Sequence, residues 1–233
     1  MFRGIFVTGT DTNVGKTVVS AALMLRYRHE APLRYWKPIQ TGIELDDDSS
    51  EVARLARCRD DEVFNCGVRL PRPVSPHLAA RLGGTRITVR SLVEQLREAP
   101  RNVPRGDKAR HGTSRWIVEG AGGVLVPINE RETVADLIVA LHMPVVVTAR
   151  STVGTINHSL LTIEALRRRM MRVAGVILVG PPDDENRQAI EKYGAAEVIA
   201  QMPRFDPLTP DALAQWVATG FDRAGVLFVG GLR

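Results

Sequence analysis

The stretch that decides the fold is GTDTNVGKT, residues 9–17. It follows a short apolar run, Gly4–Val7, and opens a helical pattern over Lys16–Tyr27. In a P-loop, glycines let backbone N–H groups curl around phosphate oxygens, and the start of the following helix adds positive potential. The order of strand, loop and helix therefore predicts a nucleotide-binding P-loop.

Two side chains in this loop have the chemistry that phosphate binding requires. Lys16 can place a positive charge at the β and γ phosphates, and Thr17 can offer a hydroxyl to Mg²⁺. Gly9 and Gly15 enclose five residues, whereas the usual spacing has about four, so the loop is a lengthened variant. The alternative interpretation is a glycine-rich turn that binds no ligand.

Apolar runs of strand length alternate with helical patterns along the whole chain. Runs without polar alternation are typical of strands that are covered on both faces. We therefore expect one doubly wound α/β domain over residues 1–233, with a mostly parallel sheet and helices on both faces. The predicted strands are Gly4–Val7, Leu33–Trp36, Trp116–Val118, Val145–Thr148, Val173–Val179 and Ala196–Ile199, and the predicted helices are Lys16–Tyr27, Ser50–Ala56, Ser91–Glu98, Val134–Ala140, Thr155–Met170 and Asp184–Tyr193.

Composition excludes several classes of protein. With 44% hydrophobic and 24% charged residues among 233, the chain is neither collagen-like, a coiled coil nor disordered. No run approaches the roughly 20 apolar residues that span a bilayer. Cys58 and Cys66 have neither zinc-ligand spacing nor the density of a disulfide scaffold. We expect a cytoplasmic protein with no membrane partner.

The net charge of +5 is unevenly placed, because the segment Arg101–Arg115 holds five basic residues and one acidic residue. Prolines and glycines in the same segment indicate a surface loop. The segment has no platform of aromatic side chains and belongs to no recognised nucleic-acid-binding module. We therefore do not expect a nucleic-acid partner.

Two further clusters fall where parallel strands should end, near the loop. The first is WKPIQTG (36–42) and the second is EGAGG (119–123). Ligands bind at the carboxyl ends of the strands in open α/β sheets. Taken singly, Lys37 could be a surface lysine and Glu119 a loop carboxylate. Together with Lys16, they are better interpreted as one site.

An acidic run, Asp46–Asp48, precedes the helical pattern that begins at Ser50. Acidic residues at a helix start are favoured by the helix dipole, so capping is one explanation of the run. One of the three carboxylates could nevertheless coordinate Mg²⁺. The sequence alone leaves open which one.

Taken together, the motifs resemble the dethiobiotin synthetase family. The resemblance runs through much of the chain in the family's order, on GTDTNVGKT (9–17), KPIQTG (37–42), the segment Asp48–Glu51, SPHLAA (75–80), EGAGGVLVP (119–127) and GTINHSLLT (154–162). It implies a homodimer with the P-loop NTPase fold. It also implies that 7,8-diaminopelargonic acid, CO₂ and ATP react with Mg²⁺ to give dethiobiotin, ADP and phosphate.

The resemblance also implies roles for individual residues. Lys16, Lys37 and Thr12 would be catalytic, Thr17, Asp48 and Glu119 would hold Mg²⁺, and Thr41 would lie near the diamine. The tail carboxylate of the diamine would meet Gly154, Thr155, Ile156 and Asn157 of the partner subunit. Nucleotide contacts would come from Asn13, Val14, Gly15, Lys16, Thr17, Val18, Glu119, Gly122, Val179 and Pro203.

Two positions depart from the family pattern. Asn13 stands where the family often has Glu, and Val179 stands where many members have an adenine-reading Asn. Base recognition must then use backbone groups or the segment near Pro203, which leaves nucleotide selectivity open.

Two alternative functions fit the sequence less well than the ligase. A ParA- or MinD-like ATPase usually has a second lysine early in its P-loop, and this chain has none at that place. The synthetase part of a cobyrinic-type amidotransferase would need a separate glutaminase domain, which cannot fit in 233 residues.

Overall fold

A seven-stranded sheet lies at the centre of the computed structural model, which describes residues 2–99, 115–223 and 225–229. Its strand order is β4-β2-β6-β1-β7-β8-β9, and every pair is parallel. Strands β3 and β5 form a separate parallel pair. The strands are β1 (Gly4–Gly9), β2 (Leu33–Trp36), β3 (Ile39–Thr41), β4 (Val63–Phe64), β5 (Val68–Leu70), β6 (Arg115–Gly123), β7 (Val145–Arg150), β8 (Val173–Val179) and β9 (Val198–Met202).

Helices cover both faces of this sheet. Successive strand residues point to opposite faces, so Ile5 and Val7 join one hydrophobic cluster and Phe6 joins the other. The cluster that contains Ile5 and Val7 packs under helices α1, α2, α8 and α9. The cluster that contains Phe6 packs under helices α3 to α7. The helices are α1 (Lys16–Tyr27), α2 (Asp48–Ala56), α3 (Pro76–Leu82), α4 (Val89–Glu98), α5 (Val134–Leu141), α6 (Thr155–Arg167), α7 (Asp184–Gly194), α8 (Pro210–Ala218) and α9 (Val226–Val229).

The predicted doubly wound α/β fold is confirmed, with some boundaries moved. The strand predicted at Ala196–Ile199 lies at Val198–Met202, and the helix predicted over Thr155–Met170 ends at Arg167. Helix α2 begins two residues before the predicted Ser50, because the Asp47 side chain caps it by accepting a hydrogen bond from the Ser49 N–H. The prediction missed the short elements β3, β4, β5, α3, α8 and α9.

Strand β6 extends well beyond its predicted end at Val118. It continues to Gly123, where a register shift pairs Gly123 with Gly9 of β1. Glu119, for which a loop carboxylate was the alternative interpretation, is therefore a strand residue, opposite Val7. This pairing brings the two glycine-rich segments together at the carboxyl end of the sheet.

Three other expectations from the sequence concern membrane helices, the cysteines and the basic segment. In the ranges that the structure describes, no helix is long and apolar enough to cross a membrane. Cys58 and Cys66 are both free thiols. The basic segment predicted as a surface loop lies outside the described residues, except for Arg115, which begins β6.

Candidate active site

The loop between β1 and α1 has the backbone geometry expected of a P-loop. Gly15 has φ 96°, in the left-handed region, and α1 follows it without a side-chain cap. A Cβ atom at Gly15 would lie 3.2 Å from both Cγ atoms of Val179, so both the conformation and the space favour glycine. The Lys16 ammonium donates to the Asp11 carbonyl oxygen at 2.9 Å. The N–H groups at the start of α1 are left for a ligand.

Behind this loop, Glu119 is fully buried and accepts four hydrogen bonds. Its Oε1 accepts from Lys37 Nζ at 2.7 Å and from Thr17 Oγ1 at 3.2 Å. Its Oε2 accepts from Ser20 Oγ and from the Tyr35 hydroxyl, both at 2.9 Å. A buried carboxylate is tolerated only when it is paired and hydrogen-bonded, and both oxygens of Glu119 meet that condition.

Asp48, the first residue of α2, joins the same cluster. Its Oδ1 accepts from Thr17 Oγ1 at 2.8 Å, and its Oδ2 lies 2.6 Å from Lys37 Nζ. Asp47 instead caps α2, and Asp46 is exposed. Of the three acidic residues in the run, Asp48 therefore lies with Thr17.

The cluster shifts the acidity of both lysines in opposite directions. Burial, reinforced by the nearby Lys37 charge, lowers the pKa of Lys16 from 10.5 to about 8. Burial also opposes the charge on Lys37, but Glu119 and Asp48 outweigh it and raise its pKa. Burial opposes the ionised form of Asp48 too, yet Lys37 and Thr17 lower its pKa. A positively charged Lys37 thus lies between two carboxylates.

Tyr35 is protonated in this cluster. Burial, followed by the charges of Glu119 and Asp48, raises the pKa of Tyr35 well above its usual value. Its hydroxyl therefore acts as a hydrogen-bond donor to Glu119.

A cavity of about 610 Å³ opens in front of this cluster. Many of the predicted site residues line it, from four separate segments of the chain. They are Thr12, Asn13, Gly15, Lys16, Thr17, Val18, Lys37, Thr41, Asp48 and Gly122. The structure thus brings together the P-loop, the segment after β2, the start of α2 and the end of β6.

The oxygen atoms beside Thr17 suit Mg²⁺. The Thr17 hydroxyl, the Asp48 carboxylate and the Glu119 carboxylate converge within hydrogen-bond distance. Among the described residues, no group of three or more His, Cys, Asp or Glu side chains could hold a metal. That result does not conflict with Mg²⁺ in a nucleotide site, where one or two carboxylates usually share the ion with phosphates and water.

Several predicted residues do not line this cavity. Val14 is buried, and Glu119 lies behind Lys37 and Thr17. Val179 lies against Gly15, and Pro203 follows β9, whose last residue pairs with Val179. Gly154, Thr155, Ile156 and Asn157 begin α6 and are not among the lining residues.

Sequence reasoning missed three residues around the site. Ser20 and Tyr35 contact Glu119, and Arg150 donates from Nη2 to the Thr12 carbonyl oxygen at 3.1 Å. Spacing could have found the first two, since Ser20 is about one helical turn after Thr17, and Tyr35 is two residues before Lys37. Arg150 ends β7, a place that the sheet order reveals and the sequence does not.

The fold and the site define a P-loop nucleotide-binding protein. A family model described as an AAA domain matches residues 3–212. A ParA family ATPase from Chlorobium tepidum has a similar fold, with a TM-score of 0.52 at 10% identity over 96% of this chain and 92% of that one. A chain of the MinC:MinD cell division complex from Aquifex aeolicus has a TM-score of 0.55 at 11% identity over 96% of each chain.

Closer relatives identify the family. The ATP-dependent dethiobiotin synthetase of Paramagnetospirillum magneticum is 45% identical over 91% of this chain and 93% of its own length. That of Agrobacterium fabrum is 40% identical over 96% of each. A biotin biosynthesis bifunctional protein of Bordetella avium is 45% identical over 92% of this chain, which spans 42% of that protein. The chain belongs to the ATP-dependent dethiobiotin synthetase family.

Proposed function

We propose that this chain is a ligase of biotin biosynthesis that makes dethiobiotin from 7,8-diaminopelargonic acid, CO₂ and ATP. The observation that carries the proposal is the convergence of Lys16 and Thr17 with Lys37, Asp48 and Glu119 beside one cavity. A phosphoryl-transfer site needs positive charge and positioning more than covalent chemistry from the protein. Two lysines on different segments supply that charge.

The reaction divides into three steps in this proposal. One amine of the diamine bonds to the carbon of CO₂ and loses a proton, which gives a carbamate. A carbamate oxygen then takes the γ-phosphoryl group of ATP, which releases ADP and leaves a carbamic-phosphoric anhydride. The second amine attacks the carbonyl carbon, phosphate leaves, and the ureido ring closes as that amine loses a proton.

Each residue of the site has a task in these steps. Lys16 holds the β and γ phosphates, and Lys37 offsets the negative charge of the carbamate and of the phosphoryl group in transfer. Thr12 and Thr41 line the space for the reacting groups. Thr17, Asp48 and Glu119 would hold Mg²⁺, which when bound neutralises charge on the phosphates. Lys37 lies between Asp48 and Glu119 and lines the same cavity as Lys16, so its charge would lie beside the metal and the phosphates.

The other parts of the proposal concern the nucleotide, the assembly and the cell compartment. Backbone groups of Asn13, Val14, Gly15 and Val18 would contact the phosphates, with Gly122 close by, and Val179 and Pro203 would lie beside the base. We infer that residues 1–233 form a single functional domain. We also infer a cytoplasmic homodimer, in which Gly154–Asn157 of one subunit binds the diamine carboxylate of the other.

The direct test is product formation by the purified protein. We expect dethiobiotin and ADP in equal amounts when the diamine, bicarbonate and MgATP are supplied, as measured by mass spectrometry and a coupled ADP assay. Lys37→Met keeps the aliphatic stem and should lower kcat on the order of 100-fold while ATP binding persists. Lys192→Met is the matched control, because Lys192 is exposed on α7.

Two results would contradict the proposal. One is ATP hydrolysis that does not depend on the diamine, which would favour a switch-type ATPase. The other is an unchanged kcat in Lys37→Met, which would remove Lys37 from the chemistry.

A further inference from the structure

The two oxygens of Glu119 have different kinds of partner. Oε1 contacts Thr17 and Lys37, which both line the cavity. Oε2 contacts Ser20 and Tyr35, whose side chains are fully buried and do not line it. The carboxylate therefore has one oxygen on the side of the cavity and one anchored in the core.

The periodicity of three elements produces this arrangement. Ser20 follows Thr17 by three residues on α1, and helical residues at that spacing share a face. Tyr35 lies in β2 and Lys37 follows two residues later, just past the end of the strand, and both side chains contact Glu119. In each pair, one residue reaches the cavity and the other lies one step deeper.

Both core bonds can form at the same time. The Ser20 and Tyr35 hydroxyls each hold one proton, and each bond to Oε2 measures 2.9 Å. Thr17 differs, because its single proton is divided between Asp48 Oδ1 at 2.8 Å and Glu119 Oε1 at 3.2 Å. The two core donors fix the plane of the carboxylate without using the oxygen that faces the cavity.

We propose that Tyr35 and Ser20 are positioning residues, which hold Oε2 of Glu119 so that Oε1 is aimed at Mg²⁺. The inference rests on the proposed metal site of the ligase. Partners that orient a metal ligand from behind commonly change metal affinity by about 10- to 100-fold when they are removed. A carboxylate without its anchor can rotate, and it must then be reordered whenever the metal binds.

Tyr35→Phe removes one oxygen atom and keeps the ring in the core. We expect Mn²⁺, used as an EPR-visible substitute for Mg²⁺, to bind the ATP complex about 10-fold more weakly in this variant. The Mg²⁺ concentration for half-maximal activity should rise in parallel, while kcat at saturating Mg²⁺ stays close to that of the parent. A loss of kcat with unchanged Mn²⁺ affinity would overturn the positioning role.

The chain provides a matched control in Tyr27. This buried tyrosine also donates to a carboxylate, that of Asp222, but it lies at the last turn of α1. Tyr27→Phe should change the melting temperature and leave Mn²⁺ affinity unchanged. If Tyr27→Phe weakens Mn²⁺ binding as much as Tyr35→Phe does, the effect belongs to general stability and the proposal fails.

Two further variants separate this inference from the metal assignment. Ser20→Ala removes the second donor, so it should weaken Mn²⁺ binding in the same direction, and it provides a test if Tyr35→Phe does not fold. Glu119→Gln should weaken Mn²⁺ binding more than either. If only Glu119→Gln weakens it, the metal site stands and the positioning role is wrong. If Glu119→Gln has no effect, both the metal site and the inference are wrong.

Discussion

Two helices of this protein begin in the same way and in different surroundings. Helix α1 follows Gly15 and helix α6 follows Gly154, and both glycines have a left-handed φ, 96° and 91°. Each helix starts after a strand of the central sheet and lacks a side-chain cap. Each therefore presents the positive end of a helix dipole and backbone N–H groups that have no partner within the helix, although the Thr155 N–H of α6 donates to the Thr152 carbonyl oxygen at 3.1 Å.

Their neighbours differ. The start of α1 borders the cavity and lies beside Lys37 and Asp48. The start of α6 is not among the cavity-lining residues, and Val153 and Asn157 beside it are exposed. An uncapped helix start can attract an anion, but side chains from other elements decide which anion and what chemistry follows. We infer that side chains of this chain complete the anion-binding site at the start of α1, whereas a partner subunit completes the one at the start of α6.

The largest effect is expected at the start of α1. Lys16→Ala should lower kcat on the order of 100- to 1000-fold, because it removes the charge on the phosphates in transfer. The fold should persist, since the side chain borders a cavity and its removal also relieves the burial of a charge. Dethiobiotin formation and the melting temperature measure the two effects. Near-normal turnover by the folded variant would contradict the P-loop assignment.

The start of α6 can be tested through charge alone. Asn157→Asp adds a negative charge at an exposed position in the first turn, where the helix dipole favours it, so the helix should not lose stability. We expect KM for the diamine to rise about 10-fold or more, because the added charge repels the substrate carboxylate. Asn157→Ala should have a smaller effect, since it adds no charge and leaves the backbone N–H groups of the helix start in place. Equal KM values for the Asn157→Asp variant and the parent would contradict a role for α6 in binding the diamine.

Mixing two defective variants tests whether each site uses two subunits. A mixed dimer of Lys16→Ala and Asn157→Asp chains carries both defects in one site and neither defect in the other. Random assortment should then restore about one quarter of the parent activity, measured at a diamine concentration that leaves each variant nearly inactive. No recovery after verified subunit exchange would mean that α1 and α6 act within one chain, or that α6 does not act.

A smaller effect follows from the pKa of Lys16, which burial and Lys37 lower to about 8. Below that pH the ammonium is charged and attracts phosphate, and above it the ligand-free protein loses this charge. Bound ATP favours the charged form, so ATP affinity without metal should fall as the pH rises above about 8, by about tenfold per pH unit at most. Lys16→Arg keeps its charge throughout and should flatten the slope in a fluorescence titration. If ATP affinity depends on pH equally in both proteins, the dependence belongs to a group other than Lys16.

Residues that are contiguous along the chain could be predicted from the sequence, and contacts between distant elements could not. The P-loop was predictable because its glycines, Lys16 and Thr17 are contiguous and lie between a strand and a helix. The sequence predicted that Lys37 and Glu119 belong to one site, but it could not predict the ion pair between them. That pair depends on β2 lying beside β6 in the sheet. Tyr35 was missed because an aromatic residue in the predicted strand Leu33–Trp36 is interpreted as an ordinary core residue. The short strands β3 to β5 have too few residues to show a period.

The smallest effect is expected at the base, where Val179 lies against Gly15 and beside the end of β9. A valine can pack on the face of a base but cannot pair with its donor and acceptor edge, so selection among bases should be modest. We expect CTP and GTP to support measurable dethiobiotin formation. Val179→Asn, of similar size, should raise the preference for ATP several-fold, on the order of one hydrogen bond. Assays of parent and variant with all four nucleoside triphosphates decide the point, because strict ATP selectivity in the parent would place base recognition on backbone groups near Pro203.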